Sequence, residues 1–173
     1  MDKKYEIRGD LRIVALREGS WGPAGTVGGF VSGEHNLSHC GACWVYDDAR
    51  VEGNARVSEY ARVSGKSTVM GNASVRDTAR VSDFAWITDY AKVKDNAVVA
   101  GHAIVGDRAK VHGNAHVSGG AIVRGDSEIY GNASVSGSAF LRKGHIKVYG
   151  SASVYGNAEI CDDRRISGLD MIR

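Results

Sequence analysis

Two histidines, His112 and His116, are the side chains best suited to acid–base work. A neutral imidazole at either place would take a proton from a hydroxyl or an amine near neutral pH. They straddle Gly113 and Asn114, a pair that reads as a corner, so the rings are expected on different faces and not on one metal ion. A second group, His35, His39, Cys40 and Cys43, has the ligand types that zinc takes. Its spacing matches no strong zinc motif, and packed residues of an irregular segment are the competing reading. There is no phosphate-binding glycine loop, nucleophile elbow or paired-carboxylate motif. Catalytic residues and bound metal are therefore both expected to be absent, with His116, His112 and the His/Cys group as the alternatives.

The elements that must position these residues follow from the rest of the chain. Its 173 residues suffice for one domain with a core, and its net charge of +2 neither demands nor forbids an anionic partner. The start, Met1 to Tyr5, is charged and leads into no apolar stretch. No apolar run approaches the roughly 18 residues of a membrane span. A cytoplasmic protein is expected, and three cysteines are too few and too scattered for a disulfide framework. The 23 glycines and single proline ask for many turns made with glycine.

The turns recur. From Val45 the chain repeats every six residues, as VYDDAR, VEGNAR, VSEYAR and onward to Ile166, with one seven-residue unit opening at Leu141. Every unit opens on Val, Ile or Leu, and its fifth residue is mostly Ala or Ser. Its third is mostly Gly or Asp, and its fourth is often Asn. A β-branched opener suits an inward strand position, and Gly, Asp and Asn accept the positive φ of a tight corner. A period of six keeps no single face of a 3.6-residue helix apolar. Three units make an eighteen-residue triangular coil. About seven coils stacked at strand spacing would form a parallel solenoid on the order of 34 Å long. Residues 1–44 form a cap and a first irregular coil on this reading, with short strands at Tyr5–Ile7 and Leu11–Leu16 and a glycine-rich loop from Gly19 to Gly29. Val31 and Leu37 already stand six apart. Residues 45–168 are the repeat and 169–173 a tail.

The pattern of aliphatic opener, small or acidic residue, two variable residues and a small fifth resembles the hexapeptide-repeat superfamily over about 120 residues. The resemblance implies a single-stranded, left-handed parallel β-helix, a hand that runs against the usual crossover rule. Leu11–Leu16, Gly28–Val31, Asn36–Ser38 and Cys43–Asp47 are similar to a subgroup, the YdcK-like β-helix proteins of enteric bacteria and their phages. That subgroup brings no activity with it.

Steps of eighteen sort the outward residues onto three faces. Beside Val51, Val69 and Ile87 stand Met70, Trp86, Ile104, Ile122 and Phe140, four of them in one column. Such a column reads as an oligomer or partner interface. Beside Val57, Val75 and Val93 stand Arg56, Arg76, Lys92, Lys94, Lys110, His112 and Lys147, with Tyr130 and Tyr149 and one acid, Glu128. That basic face is either solvated surface or a site for an acidic partner or a phosphate backbone. The third face carries Ser64, Ser82, Ser118 and Ser136 with Ala100.

The function expected from these readings is that of a non-enzymatic scaffold or binding protein. It would self-associate, first as a homotrimer, and hold a protein partner, as a phage-borne protein acting on a host protein would. Nucleic acid is a less favoured partner. The alternative that the superfamily implies is an acyltransferase using acetyl-CoA, but the coils from Val45 to Leu141 carry no inserted loop to build an acceptor pocket.

Overall fold

A computed structural model describes residues 3–173; Met1 and Asp2, the start of the charged N-terminal run, lie outside them. Each six-residue unit forms a strand of two residues, the first facing out and the second in, as in Arg50–Val51, Arg56–Val57 and Arg62–Val63. Each strand pairs in parallel with the one eighteen residues later, as Arg50 with Thr68 and Val51 with Val69. The openers are sealed: Val93 and Val111, on which the register depends, are both 0% exposed. Alanine fills the fifth position of most units and is buried there, and the longer unit places Ile146, also fully buried, at the equivalent point. Where serine replaces alanine, the hydroxyl is satisfied locally, Ser67 Oγ donating to the Ser64 carbonyl at 2.7 Å and Ser127 Oγ to the Arg124 carbonyl at 2.6 Å.

The third position explains its own alternation of glycine and acid. Residues there adopt left-handed backbone, with φ of 61° at Gly53 and 55° at Asp107. An acid does more than tolerate this conformation. The carboxylates of Asp47, Glu59, Asp77, Asp83, Asp89, Asp95 and Asp107 each accept the N–H of the corner residue one coil on. The side chain thereby caps a donor that the strand ladders leave unused.

Three parallel sheets result, one along each face. The seven-residue unit adds its extra residue at the Lys143–Gly144 corner, where φ is 54° and 124°. The pairing offset then becomes nineteen, Glu128 meeting Lys147, and the ladders continue unbroken.

The N-terminal segment is an antiparallel cap of β1 (Tyr5–Ile7), β2 (Arg12–Ala15) and β3 (Val27–Val31). Strand β3 then pairs in parallel with Arg50–Val51. It reaches into the stretch expected to be a glycine-rich loop. The reason is close approach: a Cβ on Gly28 would lie 2.6 Å from the Val45 carbonyl, and one on Gly29 would lie 2.5 Å from the Ala49 carbonyl. Val31, Leu37 and Val45 form the first turn, through pairing with Val51, Val57 and Val63. At the other end, Met171–Ile172 pairs with Ser153–Val154, so the ladder runs past residue 168 into the expected tail. These additions make eight turns of the seven that the repeat alone suggested. Beneath the cap, Trp44 is fully buried, stacked on Trp21 at 5.1 Å and edge-on to Tyr5 at 6.3 Å. Among the described residues no helix is long and apolar enough to cross a membrane.

The corner chemistry sets two expectations. Asp107→Gly loses the capping bond but relieves the backbone, whereas Asp107→Ala loses the bond and keeps the strain. Urea unfolding should find the alanine variant less stable than the glycine variant by about 1–2 kcal/mol; equal stabilities would remove this account of the corner. The Thr88 hydroxyl and the Asp107 N–H hold the Asp89 carboxyl below its ordinary value. A lowered folded pKa gives stability that is present above the unfolded value near 4 and lost as pH falls through the folded value. Unfolding measured from about pH 5 down to about pH 3 should show that loss, with a shallower slope in Asp89→Asn.

Candidate interaction faces

Strand register decides which side chains meet. On the Val51 face, Thr68, Trp86, Ile104, Ile122 and Phe140 are successive Cα partners. Trp86 is 48% exposed, while Ile104, Ile122 and Phe140 are half-buried against their neighbours in the ladder. Met70 belongs to the parallel column on the other side of the openers, which continues through Thr88, Gly106, Arg124 and Arg142. Charges bound the apolar stretch: Arg50 packs over Phe30 at 4.2 Å at one end, and Glu159 pairs with Arg142 at 2.6 Å at the other. The Arg142 guanidinium also covers the Phe140 ring at 4.8 Å. The five residues expected on this surface are therefore together on one flat face.

The basic face divides into two flanks of different character. Arg76, Lys94 and His112 lie beside corner carboxylates, Arg76 at 3.6 Å from Asp77 and Lys94 at 3.6 Å from Asp95. His112 lies 3.2 Å from Glu128 and 3.7 Å from Asp95. Its ring stacks on Tyr130 at 5.2 Å, and Tyr130 stacks on Tyr149 at 5.1 Å. Burial works to raise the Glu128 pKa, but hydrogen bonds from Lys147 and His112 outweigh it and hold the carboxyl below its ordinary value. The other flank carries Arg56, Lys92, Lys110 and Lys147. Lys92 and Lys110 are direct strand partners, both exposed, and neither makes an ion pair among the described residues.

Beyond this second flank the corner contributes residues that a face-by-face reading passes over. Tyr90, Arg108 and His145 line one hollow with Lys92, Lys110 and Lys147. The signal was present in the sequence, since the fourth position of every third unit runs Asn54, Asn72, Tyr90, Arg108. Face and corner had to be read as one surface to find it.

The histidines fall on separate faces. His116 is exposed on the Val63 face, between Val98 and Ser134 in its ladder. Ser64, Ser82, Ala100, Ser118 and Ser136 line the other flank of that face. The His/Cys group does not converge. His35 Nε2 meets the Gly53 carbonyl at 2.8 Å, and His39 accepts the Lys4 N–H and stacks on Tyr5 at 4.4 Å. Cys40 is exposed and Cys43 is buried. Among the described residues no three His, Cys, Asp or Glu side chains form a group that could hold a metal ion.

What the cap does contain is a buried lysine that no motif announced. Lys4 is 0% exposed; its Nζ donates to the Cys43 carbonyl at 2.9 Å and to Cys43 Sγ at 3.3 Å, and sits 5.2 Å from the Trp21 ring. Burial lowers its pKa. Burial likewise raises the Cys43 thiol, against the pull of Lys4.

Comparison with protein-family models and with curated proteins finds no match to this chain.

The three thiols are expected to differ in reactivity. A thiol reagent at mildly alkaline pH should modify Cys40 and Cys161 in the native protein, and Cys43 only on unfolding. Rapid modification of all three would show that the cap opens readily.

Proposed function

We propose that this chain is a non-enzymatic solenoid scaffold that associates with copies of itself through the Val51 face and holds a protein partner on another flat surface. The observation that carries this reading is the in-register column Trp86, Ile104, Ile122 and Phe140. A column of large apolar side chains on a rigid floor is an interaction surface in most soluble proteins. Its aromatic members suit the role of buried anchors. A homotrimer is the assembly that the hexapeptide resemblance points to. Membership in the YdcK-like subgroup, the left-handed sense of the coil, and an origin in a bacterium or its phage with a host protein as partner belong to the same proposal.

Acyl transfer from acetyl-CoA is the competing reading and rests on the repeat. What speaks against it is that the coils from Val45 to Leu141 carry no inserted loop beside either candidate base. His112 is held by Glu128 and Tyr130, and His116 stands exposed on an open face.

Ile104→Arg places a charge at the centre of the column and should convert the assembly to monomers. Light scattering of the wild type and the variant at equal concentration measures this; an unchanged assembly mass would remove the interface. A thermal-shift titration with acetyl-CoA is expected to leave the melting temperature where it was, and saturable stabilisation would favour the transferase.

A further inference from the structure

The edge between the Val51 and Val57 faces carries a succession of hollows that adjoin through shared lining residues. Three hollows lie along it. The first is lined by Arg56, Asn54 and Asn72, and the second begins at the same Asn72. The second, of about 620 Å³, reaches His145 and Lys147, which also line the third beside Asp163, Arg164 and Arg165. From the coil of Arg56 to that of Arg165 the groove runs on the order of 30 Å at strand spacing.

Its charge is not that of an ordinary solvated surface. Lys92 and Lys110 are stacked in direct strand register, a repulsive placement that Glu128, the next residue of the ladder after Lys110, only partly offsets. Arg108 faces the same hollow and makes no ion pair among the described residues. The acids that line the hollow are Asp126 and Glu128, and Glu128 is committed to Lys147 at 3.2 Å and to His112. Asp95 and Asp107 are turned onto the backbone N–H groups of Gly113 and Gly125. Asp126 is the one acid of the hollow with no ion pair among the described residues, so three cations face a single uncommitted carboxylate and carry excess positive charge for an external anion.

The lining also selects the kind of anion. Protein partners are held mainly by apolar and aromatic anchors in desolvated pockets, and this groove has no aliphatic anchor. A row of fixed cations draws its binding energy from counterion release, which a polyelectrolyte supplies. One aromatic ring, Tyr90, stands in the groove at 60% exposure, beside Lys92 and Arg108. An exposed ring among cations is the element that single-strand binders use under an unpaired base.

We propose that this groove binds single-stranded nucleic acid, with Lys92, Arg108 and Lys110 against the phosphodiester backbone and Tyr90 stacked on a base. This reading rests on the cations and Tyr90 and not on the apolar column, although the groove runs along the corner that borders the apolar face.

The test is fluorescence anisotropy of a labelled oligothymidylate of about 15 nucleotides with the full chain. Binding should weaken with salt, with a log–log slope of roughly −0.7 per phosphate neutralised. The triple variant Lys92→Glu, Arg108→Glu, Lys110→Glu should abolish binding, and Tyr90→Leu alone should weaken it roughly tenfold. Circular dichroism melting of each variant shows whether the solenoid is retained. All four positions face outward, so a folded variant is expected. Absence of binding by the wild type at low salt would overturn the proposal. So would equal affinity for a sulfated polysaccharide with no dependence on Tyr90, which would make the groove a general polyanion site. Preference for the matched duplex would overturn the stacking role of Tyr90 and the assignment to single strands with it.

Discussion

The corner governs this molecule. A strand of two residues can repeat only if the chain turns sharply after each one, and the turn requires left-handed backbone at a fixed position. Glycine meets that requirement by lacking a Cβ. Aspartate meets it while accepting a hydrogen bond from the next coil, as Asp95 does from the Gly113 N–H and Asp107 from the Gly125 N–H. The same contact helps hold neighbouring coils in step between Asp47 and Gly125, and the strand ladders do so along the whole solenoid. Register, and through it the sealing of every opener, follows from a local choice repeated along the chain.

Strict register multiplies any choice made on the surface. Side chains eighteen residues apart lie one strand spacing apart, so a residue type that recurs at that interval becomes a continuous column. Trp86, Ile104, Ile122 and Phe140 become an apolar ridge in this way. His112, Tyr130 and Tyr149 become a stack of rings. Lys92 and Lys110 become a pair of like charges, neither of which makes an ion pair among the described residues. The first column is the basis of the proposed association and the last of the proposed anion site, and each lies on a floor of regularly paired strands.

The two ends of the solenoid illustrate what a repeat leaves undetermined. The N-terminal segment departs from the period, and there the chain builds a different core from Tyr5, Trp21 and Trp44, with Lys4 enclosed among them. The strand at Val27–Val31 lies within a run that composition marks as loop, because Gly28 and Gly29 serve close packing against the first coil and not flexibility. At the other end, Met171–Ile172 extends the ladder although its unit lacks the small fifth residue of the repeat.

Sequence alone determined the period, the inward position of each opener and the membership of the three faces. All of these follow from side-chain type at fixed intervals, and a local repeat has no competing register to choose. The apolar column and the basic face were legible for the same reason. Only the tertiary structure decided which cations stay unpaired, since ion pairing depends on distances between a face and its neighbouring corner that no periodicity contains. It brought Tyr90 and Arg108, whose column the sequence held, into one hollow with Lys92 and Lys110, and it alone dispersed His35, His39, Cys40 and Cys43. Those residues lie where the repeat is broken, and there the positions of side chains follow from packing between distant segments.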